Sequence, residues 1–260
     1  MKRNTLQLTQ AYIKYLVKSK SIYAIHSPFL FSLIDHLKKA KPFPYFQNIE
    51  NERKRLCNDH SEITGVDHGA GSRRSKVGKV SHIARHSLKP KKQVQTLFHI
   101  AKHFRSKRIL ELGTSLGIST SYFASSDEEA QVLSLEGNDV IAEKAQAVFR
   151  NLKLQNIEII RGNIDNTLKF ALKKMPDPDL VFLDANHKKA PCMNYFNEIS
   201  ASIHENSIVV IDDIHWSNGM EQAWEAIIQR DDVTLSVDLF HFGLLFFRDG
   251  MSKQSLIVRL

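Results

Sequence analysis

From Lys107 onward, short apolar runs alternate strictly with stretches of helical period. RILEL is followed by a helix from Ile118, VLSLE by one reaching about Leu152, and IEIIRG by one near Thr167 to Lys174. DLVFLDA, a helix around Asn194 to Ile203, SIVVIDD and a helix around Met220 to Gln229 continue the series. Such alternation predicts a doubly wound, mostly parallel α/β sheet with helices on both faces. The ending differs, because VTLSVDLF and GLLFFR are separated only by His241 and Phe242. That is hairpin spacing and predicts an antiparallel edge. SLIVRL is a candidate closing strand.

Residues 1 to about 104 read as helical. Leu8, Tyr12, Tyr15 and Leu16 recur at helical spacing. Ser27 and Pro28 form an N-cap and first-turn pair opening FLFSLIDHLKKA, with an expected inward stripe of Phe31, Ile34 and Leu37. KPFPYF breaks that helix, a polar helix covers Asn48 to Asn58, and Asp67 to Ser72 is a turn-rich loop. Helices near Lys79 to Leu88 and Lys91 to Phe104 flank Pro90. The expected plan is a helical cap over 1–92 and the α/β domain over 93–260.

A chain of 260 residues can bury one large core with an appendage. No stretch approaches the roughly 20 apolar residues of a membrane span. The basic start lacks an apolar signal region, so the chain is expected in the cytoplasm. Cys57 and Cys192 are too few for a disulfide framework and lack zinc spacing. The net charge of +8 is local: His68 to Leu110 holds twelve Lys or Arg and no acid. Either an anionic partner or a solvated helical face accounts for it.

In open α/β sheets ligands lie beyond the carboxyl ends of the strands. After the first strand comes Glu111-Leu-Gly113-Thr114-Ser115-Leu-Gly117-Ile-Ser119, in which two glycines allow a tight turn before a helix start. The spacing is GxxxG, without the GxGxxG of a dinucleotide site. The next strand ends at Glu136, where a carboxylate can hold a ribose diol or simply open a helix. After the third strand, Gly162 and Asn163 follow; the amide suits an adenine edge or a helix cap.

ILELGTSLGIST, Glu136, RGN and FLDANH together resemble the cofactor half of class I S-adenosylmethionine-dependent methyltransferases, over roughly residues 93 to 250. The resemblance implies a Rossmann-like, seven-stranded sheet with a reversed last strand. It assigns Glu111 to the methionine amino group, directly or through water, and Glu136 to the ribose. Gly113, Thr114, Ser115, Gly117, Ser119, Gly162, Asn163 and Asp184 complete the expected S-adenosylmethionine site.

Leu183 to His187 and Val210 to Trp216 further resemble the O-methyltransferase branches that bind a divalent metal. Asp184, Asp212 and Asp213, at neighbouring strand ends, would repel one another unless protonated, solvated or bridged by a cation, and Mg²⁺ or a similar ion suits oxygen ligands. Two positions depart from the catechol-type pattern, Asp213 in place of Asn and His187 in place of Lys. His187 is the general-base candidate beside Asp184. The alternatives are that Asp184 contacts cofactor or acceptor without metal, and that Asp212 caps the helix entered near Ser217.

The expected activity is methyl transfer from S-adenosylmethionine, with oxygen of a small or medium-sized acceptor as the first choice and an anionic acceptor as one option. The alternative is RNA or another polyanion docked on segment 68–110. That segment lacks interleaved aromatics, since Phe98 and Phe104 both fit a buried stripe, so nucleic acid is the second choice. A cofactor-binding protein without transferase activity is a third.

Overall fold

The computed structural model describes residues 5–64 and 76–260. Its contacts divide the chain into two units, Ala40–Met175 and Met1–Lys39 with Pro176–Leu260. Helices α1 (Thr5–Lys18) and α2 (Pro28–Lys39) belong to the second. In α2 the expected cap forms, with Leu30 N–H donating to Ser27 Oγ at 3.4 Å. The inward stripe differs from expectation: Leu30, Leu33 and Ile34 are buried while Phe31 is exposed. FLFSLI is apolar around most of a turn, so periodicity alone does not select the buried face.

The 40–175 unit begins with α3 (Phe46–Cys57), a two-stranded antiparallel ribbon of β1 (Glu62–Thr64) and β2 (Lys76–Lys79), and helices α4 (Val80–His86) and α5 (Lys91–His103). The ribbon was not expected from sequence, because both strands are short and polar. Parallel strands β3 (Arg108–Leu112), β4 (Gln131–Glu136) and β5 (Ile157–Arg161) follow, in the order β3-β4-β5. They alternate with α6 (Ile118–Ala124), α7 (Asp139–Asn151) and α8 (Ile164–Lys174). One cluster joins the early helices to the α/β elements: Phe46, Val80 and Phe98 share it with Tyr122, Val148 and Phe149. Phe46 meets Phe98 edge-on at 4.7 Å between ring centroids, and the Tyr122 hydroxyl donates to Glu50 Oε1 at 3.0 Å.

The other unit holds β6 (Leu180–Leu183), α9 (Lys189–Ser200), β7 (Ile208–Asp212), α10 (Asn218–Ile228), β8 (Leu235–Asp238), β9 (Phe242–Phe246) and β10 (Gln254–Ile257). Its strand order is β6-β7-β9-β8-β10. The expected hairpin is present, β9 running antiparallel to both β8 and β7. It is not the edge: β9 is interior, and β10, parallel to β8, lies outside it. FGLLF is buried at every position, as a strand covered on both faces requires, whereas β10 is only half-buried or exposed. Eight strands thus make the mostly parallel sheet, one more than the expected seven. No helix among the described residues is long and apolar enough to cross a membrane.

Candidate active site

Within the 40–175 unit, the turn between β3 and α6 is shaped by residues of positive φ: Gly113 (+107°), Ser115 (+48°) and Gly117 (+79°). Gly113 and Thr114 N–H both donate to Leu135 O at 3.0 Å, which ties the turn to the end of β4. At Gly117 a side chain has no room, since a Cβ would stand 2.6 Å from Phe149 Cε1. Glycine is therefore required there twice over, by conformation and by packing.

Glu136 holds the turn from the next strand. Its Oε2 accepts from Ser115 N at 2.8 Å and its Oε1 from Asn138 N at 2.9 Å. The half-buried carboxylate therefore stands beside the turn at the strand end where a ribose diol is expected. Gly162, at φ +129°, donates its N–H to Glu136 O at 2.9 Å. Asn163 is the cap of α8, its side chain accepting from Asp165 N at 3.0 Å.

Glu111 is buried completely. Three hydroxyls donate to it: Ser119 to Oε1 at 2.6 Å, and Thr120 and Ser134 to Oε2 at 2.5 and 2.7 Å. Thr114 Oγ1 lies 2.6 Å from Ser134 Oγ and extends the network into the turn. Burial raises the Glu111 pKa from 4.5 to about 7 against the opposing effect of these hydroxyls and of Lys89. Thr120 and Ser134 were not among the expected site residues. Ser134 alone carried a signal, as the polar interior residue of VLSLE.

In the other unit, Asp184 and His187 follow β6 and Asp212 ends β7. One ligand atom from each lies within 4.8 Å of the others. His187 Nε2 is 3.5 Å from Asp184 Oδ1, and His187 Nδ1 is buried without a hydrogen-bond partner. Asp213 does not join this group. It turns the chain at φ +53°, its N–H donating to His241 O at 2.8 Å while its O accepts from Trp216 N at 2.9 Å. Capping of α10 falls to Ser217, whose Oγ accepts from Met220 N at 3.2 Å, rather than to Asp212. The chemistry suits a divalent cation: two carboxylates and one imidazole form a mixed oxygen and nitrogen donor set.

The expected loop at Asp67 to Ser72, with Arg73 and Arg74, lies outside the described residues. Lys79, Arg85, Lys91, Lys92, Lys102 and Arg105 are exposed. Some have local work: Arg85 donates to Cys57 O at 2.8 Å, and Lys102 lies over the Phe43 ring at 5.4 Å. His82 and His86 sit together on α4, 4.5 Å between centroids. Among the described residues neither they nor His99 and His103 belong to a three-ligand group.

Residues 110–214 match the family model described as a methyltransferase domain. No curated protein matches the chain by sequence. Solved structures similar to it include an O-methyltransferase of Klebsiella pneumoniae described as putative, at 18% identity and TM-score 0.57, covering 81% of this chain and 93% of that one. An SAH-bound methyltransferase from Podospora anserina matches at 16% identity and TM-score 0.58, over 96% of this chain and 98% of that one. An O-methyltransferase from Bacillus cereus in complex with SAH matches at 16% and 0.56, over 80% and 91%. At such identities the likeness carries the fold. The matched segment runs from β3 into the loop after β7, so residues 110–214 are similar to a methyltransferase domain.

Proposed function

We propose that the protein transfers the methyl group of S-adenosylmethionine to a hydroxyl oxygen of a small acceptor, using Asp184, His187 and Asp212 as the acceptor-side cluster. The observation that carries this reading is the convergence of those three ligand atoms within 4.8 Å at consecutive strand ends. In this reading the glycine turn and Glu136 hold the cofactor, and Glu111 with its hydroxyls positions the turn for the methionine amino group. Displacement at a sulfonium needs alignment and a deprotonated nucleophile rather than many catalytic groups.

A divalent cation held by Asp184, His187 and Asp212 would supply Lewis acidity that lowers the acceptor hydroxyl pKa. The imidazole widens the preference from Mg²⁺ toward ions such as Mn²⁺. A second reading, favoured by the 3.5 Å His187–Asp184 pair, has His187 take the hydroxyl proton without metal. Exhaustive chelation followed by add-back separates them: activity that falls and returns with the ion supports the cluster, and full activity without ion leaves His187 as base. The choice of an anionic acceptor rests on the charge of the basic segment 68–110 alone, and salt dependence of binding tests it.

A further inference from the structure

Within the unit of residues 1–39 and 176–260 is a cavity of about 170 Å³. It is lined by none of Asp184, His187 or Asp212, and it far exceeds the roughly 10–15 Å³ that one water needs. One wall is α1, with Lys14 and Lys18 four residues apart on one face; another is α10, with Glu221 and Glu225 at the same spacing. Lys14, Lys18 and Glu225 are exposed, and none makes an ion pair or hydrogen bond among the described residues.

The apolar part of the lining is held rigidly. Trp224 packs against Gly243, where even a Cβ would collide with the indole. Tyr15 is fixed by its hydroxyl bond to Val258 O at 2.7 Å. At the floor, His215 Nε2 and Asp238 Oδ2 are 2.8 Å apart, and His215 Nδ1 lies 3.6 Å from Glu221 Oε1.

A lone anion in this space would meet the carboxylates of α10, and a lone cation would meet the lysines of α1. Only a ligand carrying both signs answers both walls. We propose that the cavity binds a small zwitterion, an α-amino acid with an aliphatic side chain. Its carboxylate faces Lys14 and Lys18, its ammonium faces Glu225, and its side chain lies on Trp224 and Ile228. This site is separate from the methyl-transfer reading and does not depend on it.

The test is calorimetric titration of the full chain with L-leucine, 4-methylpentanoate and 3-methylbutylamine, each with SAH at saturation so that the cofactor turn is filled. Leucine should bind one-to-one and each half-ligand at least about tenfold more weakly, the loss of roughly one charge-assisted bond. Lys14→Glu and Glu225→Lys, both at exposed positions, should each weaken leucine about tenfold with unchanged circular dichroism, and the charge-exchanged double variant should recover part of the affinity. Absence of leucine binding, equal binding of either half-ligand, or indifference to both substitutions would overturn the proposal. SAH binding measured separately reports on the cofactor site.

Discussion

Ser119, in the first turn of α6, donates its hydroxyl to Glu111 Oε1 at the end of β3 across 2.6 Å. With Thr120 and Ser134 on the other oxygen, the cage draws its hydroxyls from the start of α6 and the middle of β4. An acid buried this deeply carries a proton more readily than it would in water, which makes the glycine turn sensitive to pH.

The Glu111 pKa is about 7 in the folded protein against an ordinary value of 4.5. Below the ordinary value both folded and unfolded chains hold the proton, and the stabilising effect of protonation is fully present. Between the two values only the folded state keeps it, so stability falls as pH rises, by up to about 1.4 kcal/mol per pH unit, and levels off above the folded pKa. Glu111→Gln should flatten this fall, as read from urea midpoints across that window. An unchanged slope would show that Glu111 does not titrate there.

Gly117→Ala should destabilise the protein by about 2–4 kcal/mol, combining positive-φ strain with crowding against Phe149. Adding Phe149→Leu removes the crowding but not the strain. Thermal melts of the two single variants and the double should therefore be non-additive, with the double better than the sum. Strict additivity would mean that Phe149 does not constrain the turn.

The strands from β3 to β9 were legible because each carries its own apolar run between helical stretches. Three features were hidden for physical reasons. The β1–β2 ribbon is too short and polar to show a period. The interior position of β9 depends on pairing with β7, which hairpin spacing does not report. That His187, and not Asp213, groups with Asp184 and Asp212 among the described residues is a matter of side-chain placement, and Asp213 sits at a positive-φ turn that no residue spacing reveals. Glu111, Gly117 and Glu136 were marked by position after strands, but the Thr120 and Ser134 hydroxyls reach Glu111 only through tertiary contact.

Glu136→Ala removes the acceptor of the Ser115 and Asn138 N–H groups and, in the proposed reading, the ribose partner. Affinity for SAH should drop about 10- to 100-fold, the range expected for a charged hydrogen-bond acceptor. Equilibrium titration followed by competition with adenosine would locate the loss; unchanged affinity for both would remove Glu136 from the site.

Metal affinity should separate the two neighbouring aspartates. Asp212→Asn and His187→Ala should each weaken Mn²⁺ binding at least about tenfold, since loss of a ligand costs no less than the roughly 10- to 100-fold effects of its outer partners. Asp213→Asn should leave it near wild type. The reverse ranking, followed by ion titration monitored calorimetrically, would restore Asp213 as ligand and displace His187.

A single nucleoside-type site at the glycine turn is the central expectation for this protein, and titration of SAH into the full chain tests it most directly. We expect one site per chain, with proton release near pH 7 if the ammonium draws Glu111 toward its ionised form, and loss of binding in Gly113→Val with circular dichroism preserved. Absence of SAH binding to the wild-type chain, or full affinity in the folded Gly113→Val variant, would contradict the assignment of the turn.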